Sequence, residues 1–192
     1  MNYVKEAVLC VLVCLAGCNR ATSQTTPQPS GEAKTKLEAL EARTGVVIIR
    51  GFAKIGSVSD EHGGKVSVEG RESLDASTGM RELGIAIEVA NEGDTKKNNT
   101  SYIDYDEVDL LLKGIDYIYK AQGSATKLED FRADYRTKGD FEISTFSRRT
   151  GSIMAGVSSG SIEPVSAHFP LSKLNDLRVL IAEAKARLDA IK

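Results

Sequence analysis

The chain has no tryptophan, two histidines, four prolines, and three cysteines that all fall within its first 18 residues. Each shortage excludes something. Without tryptophan there is no tryptophan-lined cleft for stacking sugars. Beyond Cys18 no disulfide can form, so any folded part must stand on its apolar core alone. His62 and His168 are far apart and have no cysteine beside them, which is not the donor set of a zinc site. No cofactor motif is present, and no metal site is expected. Charge of neither sign dominates. Residues 45–124 carry nine Lys/Arg against fourteen Asp/Glu, and residues 125–192 carry eleven against nine. That is a mild dipole and not a surface built for a polyanion. Apolar residues make up 41%, enough for one core.

The first apolar run is short. After Lys5, residues 7–15 read Ala-Val-Leu-Cys-Val-Leu-Val-Cys-Leu. Nine residues suit the apolar core of a signal peptide and fall well below the roughly 20 that a membrane-spanning helix needs. The run closes on Leu15-Ala16-Gly17-Cys18. This resembles the bacterial lipoprotein family's pattern of Leu, two small residues and Cys. The resemblance implies cleavage before Cys18, diacylation of its sulfur, and a new N-terminus there. A single acyl chain holds a protein weakly, whereas two or three hold it firmly. Asn19 stands where that family often has Asp for retention in the inner membrane, so an outer-membrane or surface location is expected. Residues 1–17 are thus read as the signal peptide. Residues 18–31, rich in Thr, Ser, Gln and Pro, are read as the lipidated cysteine and a disordered tether.

Residues 32–192 are read as one globular domain of two halves, about 45–123 and 127–192. A short helix over 32–43 leads in. Residues 46–58 begin Val-Val-Ile-Ile, β-branched and apolar on both faces, which predicts a central strand. Residues 65–74 and 80–90 alternate, with Val66, Val68, Ile85, Ile87 and Val89 inward. Residues 91–101 read as a polar loop before a short strand around Ile103. Residues 106–121 place Val108, Leu111, Leu112, Ile115, Ile118 and Tyr119 on one helical stripe, with Asp106 as its cap. The second half repeats the order. Phe131, Ala133 and Tyr135 alternate, strands follow at 141–143, 153–157 and 162–169, and Ser172 caps a helix to Lys192. Residues 102–108 lie over 168–174, and 65–68 over 140–143, as strand or strand-to-helix matches. The predicted class is α+β. Two β-β-β-β-α halves, antiparallel sheets with two amphipathic helices, pack into one core, because neither half can bury its sheet face and its helix stripe alone.

Four groups carry candidate chemistry. Gly156-Val157-Ser158-Ser159-Gly160 matches the pattern of a hydrolase nucleophile elbow, which needs a strand-to-helix turn and later Asp and His partners. Here it falls between two antiparallel strands, with only His168 following, so a hairpin turn is the reading preferred. Asp104, Asp106, Glu107 and Asp109 crowd a helix start but lack the Gly and Glu of a calcium loop, which favours capping. Asn98-Asn99-Thr100-Ser101 is read as loop composition. Arg132, Arg136, Lys138, Arg148 and Arg149 interleave with Phe131, Tyr135, Phe141 and Phe146, a composition that binds single strands elsewhere. The doubled β-β-β-β-α order is also similar to that of the Whirly family, whose folds bind single-stranded DNA. The similarity lies in element order, and none of that family's sequence motifs is present. Alternation on a half-buried sheet explains the same residues, and a lipid anchor holds the domain away from DNA. The final helix could also pair with a partner helix.

The expectation is therefore a lipid-anchored cell-envelope protein, a non-enzymatic binding or structural module. Its partners would be the membrane, through the anchor, and another envelope protein, with no nucleic acid and no catalytic residue. The alternatives are a lipoprotein that binds a small ligand in a cavity between its sheets, and a serine hydrolase using Ser158.

Overall fold

Alternation of apolar and polar residues builds most of the molecule. In the computed structural model, which describes residues 33–60, 63–91, 97–121, 125–148 and 151–192, eight strands form two antiparallel sheets. The first takes the order β1 (Ile48–Ser59), β2 (Gly64–Asp75), β3 (Arg81–Asn91), β4 (Lys97–Asp104), and the second β5 (Arg132–Arg136), β6 (Phe141–Ser147), β7 (Ile153–Ser159), β8 (Val165–Pro170). Each sheet runs into a helix, α2 (Val108–Lys120) by way of a single 3-10 turn, Tyr105–Glu107, and α3 (Ser172–Asp189). A six-residue helix, α1 (Lys36–Glu41), precedes them. The chain is thus α+β with two β-β-β-β-α halves. Cys18 and the stretches read as signal peptide and tether, and also His62 and Arg149, lie outside the described residues.

The inward faces are those the alternation predicts. Val66 and Val68 stand opposite Val89 and Ile87, and Ile143 stands opposite Val157, which faces Ala167 in turn. All are buried and belong to one continuous core. The sheets meet through β2, β3 and β4 on one side and chiefly β7 and β8 on the other. The outer strands of each sheet need other cover, and the helices supply it by exchange. α3, from the second half, packs on β1 and β2, and α2, from the first half, packs on β5 and β6. Leu180 of α3 approaches Gly56 of β1 so closely that a Cβ there would sit 2.8 Å from its Cδ2. Thr145 of β6 donates its hydroxyl to the Ile118 carbonyl of α2 at 3.2 Å. Each Leu or Ile so buried contributes roughly 1.5–3 kcal/mol before chain entropy is charged against it. Leu174, Leu177, Ile181 and Leu188 on α3 collect that gain from the sheet of the other half.

Several local expectations are corrected. Among the described residues β1 is an edge strand, with β2 as its one strand neighbour. Apolar residues on both faces say nothing about neighbours along the hydrogen-bonding direction. The preceding chain could have supplied an outer strand, but it forms α1, which seats Leu37 against Gly84 of β3. β4 begins at Lys97, inside the stretch read as loop, because Asn98 to Ser101 pair by their backbones with β3 whatever their side chains. Ile162 lies outside β8 and is 85% exposed. Ser172 is the first residue of α3 and makes no capping bond, Leu171 being the cap.

Candidate functional site

The strand-to-helix passage after β4 shows what the acidic cluster does. The Asp104 carboxylate, buried, accepts the backbone N–H groups of Lys36 at 3.0 Å and Leu37 at 3.2 Å. It therefore serves the open N-terminus of α1, together with Thr35, whose hydroxyl accepts from Glu38 N–H while Glu38 reaches back to Thr35 N–H. Asp106 is not a cap: it pairs with the Lys36 ammonium at 2.7 Å, which draws its carboxyl below the usual range. Glu107, also buried, accepts the Lys138 backbone N–H at 3.0 Å and so ties the β5–β6 turn to the start of α2. Asp109 lies 3.7 Å from the Lys185 ammonium. The four acids are spent on separate groups, Asp104 and Asp106 on the backbone and the ammonium of Lys36, and among the described residues no group of His, Cys, Asp and Glu is arranged to hold a metal.

The serine motif lies within β7 and the turn after it. Ser158 stands opposite Glu142 of β6 and Ser166 of β8, and the strand leads through Gly160, at φ +99°, into another strand. No helix follows to present Ser158 as an elbow would. His168 stands opposite Gly156, with its ring edge-on to Phe146 at 5.9 Å. Ser158 and His168 share a face as diagonal neighbours, about 7–8 Å apart between backbones. Among the described residues no hydrogen bond joins Ser158 to a histidine or a carboxylate. Ser159 is the buried member of the motif. Its hydroxyl and that of Ser101 lie 2.7 Å apart where the two sheets meet.

The cation and aromatic set divides by face. Phe131 and Phe141 are buried, and Tyr135 turns inward, where burial raises its phenol's pKa. Arg132 and Arg136 point outward and both bind Glu142, with Arg132 also 2.6 Å from Asp134. These guanidiniums are matched to carboxylates on their own sheet.

Of the sequence candidates, Arg148 and His168 are brought together. They line a cleft of about 660 Å³ at the rim where β8 meets the β1–β2 turn. Ser59, Asp60 and Asn91 come from the first sheet, Arg148 and His168 from the second, and Lys173 from the first turn of α3. The walls close because residue 64 is glycine: a Cβ there would lie 2.9 Å from Ala167 Cβ and 2.8 Å from Asp60 Oδ2. Asp60 Oδ1 accepts the Gly64 N–H at 2.7 Å, which shapes the turn. The Lys173 ammonium lies 3.3 Å from Asp176, whereas the Arg148 guanidinium has no carboxylate partner among the described residues. The cleft thus presents a guanidinium unmatched among the described residues, an imidazole, a partly shared ammonium and several hydroxyl and amide groups, beside one carboxylate, that of Asp60, which is engaged by the Gly64 N–H. That set suits a group that accepts hydrogen bonds and carries negative charge. Sequence reasoning did not reach Asp60 or Asn91, since no motif marks residues that meet only through sheet packing. No protein-family model matches the chain, and no curated protein is similar to it in sequence.

Proposed function

We propose that the chain is a lipid-anchored, non-enzymatic binding module of the cell envelope, held by acylated Cys18 and meeting an anionic group of its partner at the cleft beside β8. The single observation that carries the binding site is the Arg148 guanidinium, without a carboxylate partner among the described residues, in a cleft of about 660 Å³, a volume within the range of ligand sites. Leu15-Ala16-Gly17-Cys18 supports the anchor. The separation of Ser158 from any base within hydrogen-bond reach supports binding over catalysis.

Titration with inorganic phosphate or acetate, followed by amide NMR shifts, tests the cleft. Shifts grouped at Ser59, Gly64, Ser166 and His168, and lost in Arg148→Ala, are the expected result. Shifts absent from these residues, or unchanged in the variant, remove the cleft from the proposal.

A further inference from the structure

β1 is an edge strand with the composition of an interior one. Over its 12 residues it has one strand neighbour among the described residues. Val47, just ahead of it, and Ile49 and Phe52 within it are 67%, 53% and 58% exposed. Long apolar edges recruit other strands, and proteins usually blunt them with lysine, proline or a bulge. Here the blunting covers only the second half. The register with β2 runs unbroken from Ile48 to Lys54, then shifts before Gly56. In the unbroken part there is no proline. Arg50 is drawn back to Glu41, 3.1 Å away, and Lys54 stands at its very end.

The hydrogen-bond phase of that part can be read from its surroundings. The Val47 carbonyl accepts Ala76 N–H, on the β2 side, while Asp75 N–H turns away to Met80 on the β3 side. Ile49, Gly51 and Ala53 therefore exchange bonds with β2. By alternation, Ile48, Arg50, Phe52 and Lys54 hold their N–H and C=O groups toward the open edge.

We infer that β1 pairs antiparallel with β1 of a second copy about a two-fold axis, joining two four-stranded sheets into one of eight. Facing residues must point to the same side, so the axis passes through a residue. Charge selects which. An axis at Arg50 sets two guanidiniums face to face, and one at Phe52 sets Arg50 against Lys54. An axis at Gly51 avoids both: it sets Arg50, whose charge is paired with Glu41, against Phe52 of the second copy, whose ring already holds its own Arg71 guanidinium at 4.4 Å. It also sets Ile49 against Ala53, and it lies at the midpoint of the unbulged stretch 48–54. The apolar signal that reads as a central strand is then satisfied, since in the dimer β1 is central. This pairing is independent of the anchor and of the cleft.

The test uses the full chain in its membrane. The two Gly51 positions form a non-hydrogen-bonded pair with Cα atoms about 4.5 Å apart, within disulfide reach. A Cβ at Gly51 meets nothing nearer than Glu72 Oε2 at 3.4 Å, so Gly51→Cys keeps the fold. After oxidation, Gly51→Cys gives a reducible species of twice the mass, at least tenfold above both the parent chain, which reports Cys10, Cys14 and Cys18, and an Ile162→Cys control. In detergent, light scattering gives two copies for the parent and one for Ile49→Lys/Phe52→Lys, with unchanged circular dichroism. A single copy for the parent at micromolar concentration overturns the pairing. So does crosslinking at residue 51 no stronger than at 162. If the double-lysine variant misfolds, the crosslink comparison still decides.

Discussion

The Tyr135 ring of β5 lies against the backbone of Gly114 in α2, where an added Cβ would sit 2.5 Å from Cδ2 and 2.7 Å from Cγ. A helix from the first half is thereby seated on a strand of the second, and α3 makes the reverse contact on β1 and β2. Asp116 and Arg178 then join the two helices through two bonds, at 2.6 and 3.0 Å. Each sheet takes its main cover from the helix of the other half.

This contact gives the first prediction. Gly114→Ala should gain about 1 kcal/mol of helix propensity. The clash reaches Cγ as well as Cδ2, so turning the ring about its own axis does not relieve it, and overpacking of roughly 1–3 kcal/mol outweighs that gain. Urea unfolding should show a lower midpoint for Gly114→Ala. It should remain a single transition seen alike by probes in both halves, since each sheet depends on the other half's helix.

Asp104 is a cap supplied from 67 residues away. Asp104→Ala leaves the N–H groups of Lys36, part-buried, and Leu37, buried, without their acceptor, at a cost of about 1–3 kcal/mol. Thr35→Ala removes one local capping bond and costs about 1 kcal/mol. Hydrogen exchange should show the amides of α1 opening first in Asp104→Ala, with β3 and β7 protected to the global limit.

Acid should release Asp75. This buried carboxylate accepts the Ser77 hydroxyl at 2.6 Å and the backbone N–H groups of Ser77 and Thr78, and it faces Arg43. The Ser77 hydroxyl leads in holding its pKa down to about 2. A carboxyl depressed in the folded chain stabilises it fully above the unfolded value of about 3.9, and that contribution is lost as pH falls toward 2. Urea midpoints measured from pH 5 to pH 2 should fall less steeply in Asp75→Asn than in the parent.

Ser158→Ala should leave both the fold and the unfolding midpoint nearly unchanged, because the hydroxyl makes no hydrogen bond among the described residues. Assay of the parent chain against ester, peptide and glycoside panels should show no turnover that Ser158→Ala abolishes.

How much was legible follows from what each signal reports. Alternation reports faces, and Val66, Val68, Ile85, Ile87, Ile143 and Val157 are buried as it predicts. Helical spacing reports a stripe, and Leu111, Ile115, Ile118, Leu174, Leu177 and Ile181 fill it. The repeat offset is also visible in space: Ile103 and Phe169 are both buried near the ends of fourth strands that lead into helices. Neither signal reports which element lies beside or across. So the edge position of β1, the exchange of α2 and α3, and the service of Asp104 to α1 were out of reach. The cleft was half visible: Arg148 and His168 drew notice by type, but Asp60 and Asn91 enter it only through the meeting of the two sheets.

The anchored reading is tested most directly by the intact mass of the mature chain purified from membranes. The expected mass is that of residues 18–192 plus a diacylglyceryl group, with or without a further acyl chain, and Cys18→Ala should lose both the added mass and the membrane fraction. A mature chain that begins at another residue, or that begins at Cys18 without acyl mass, contradicts it.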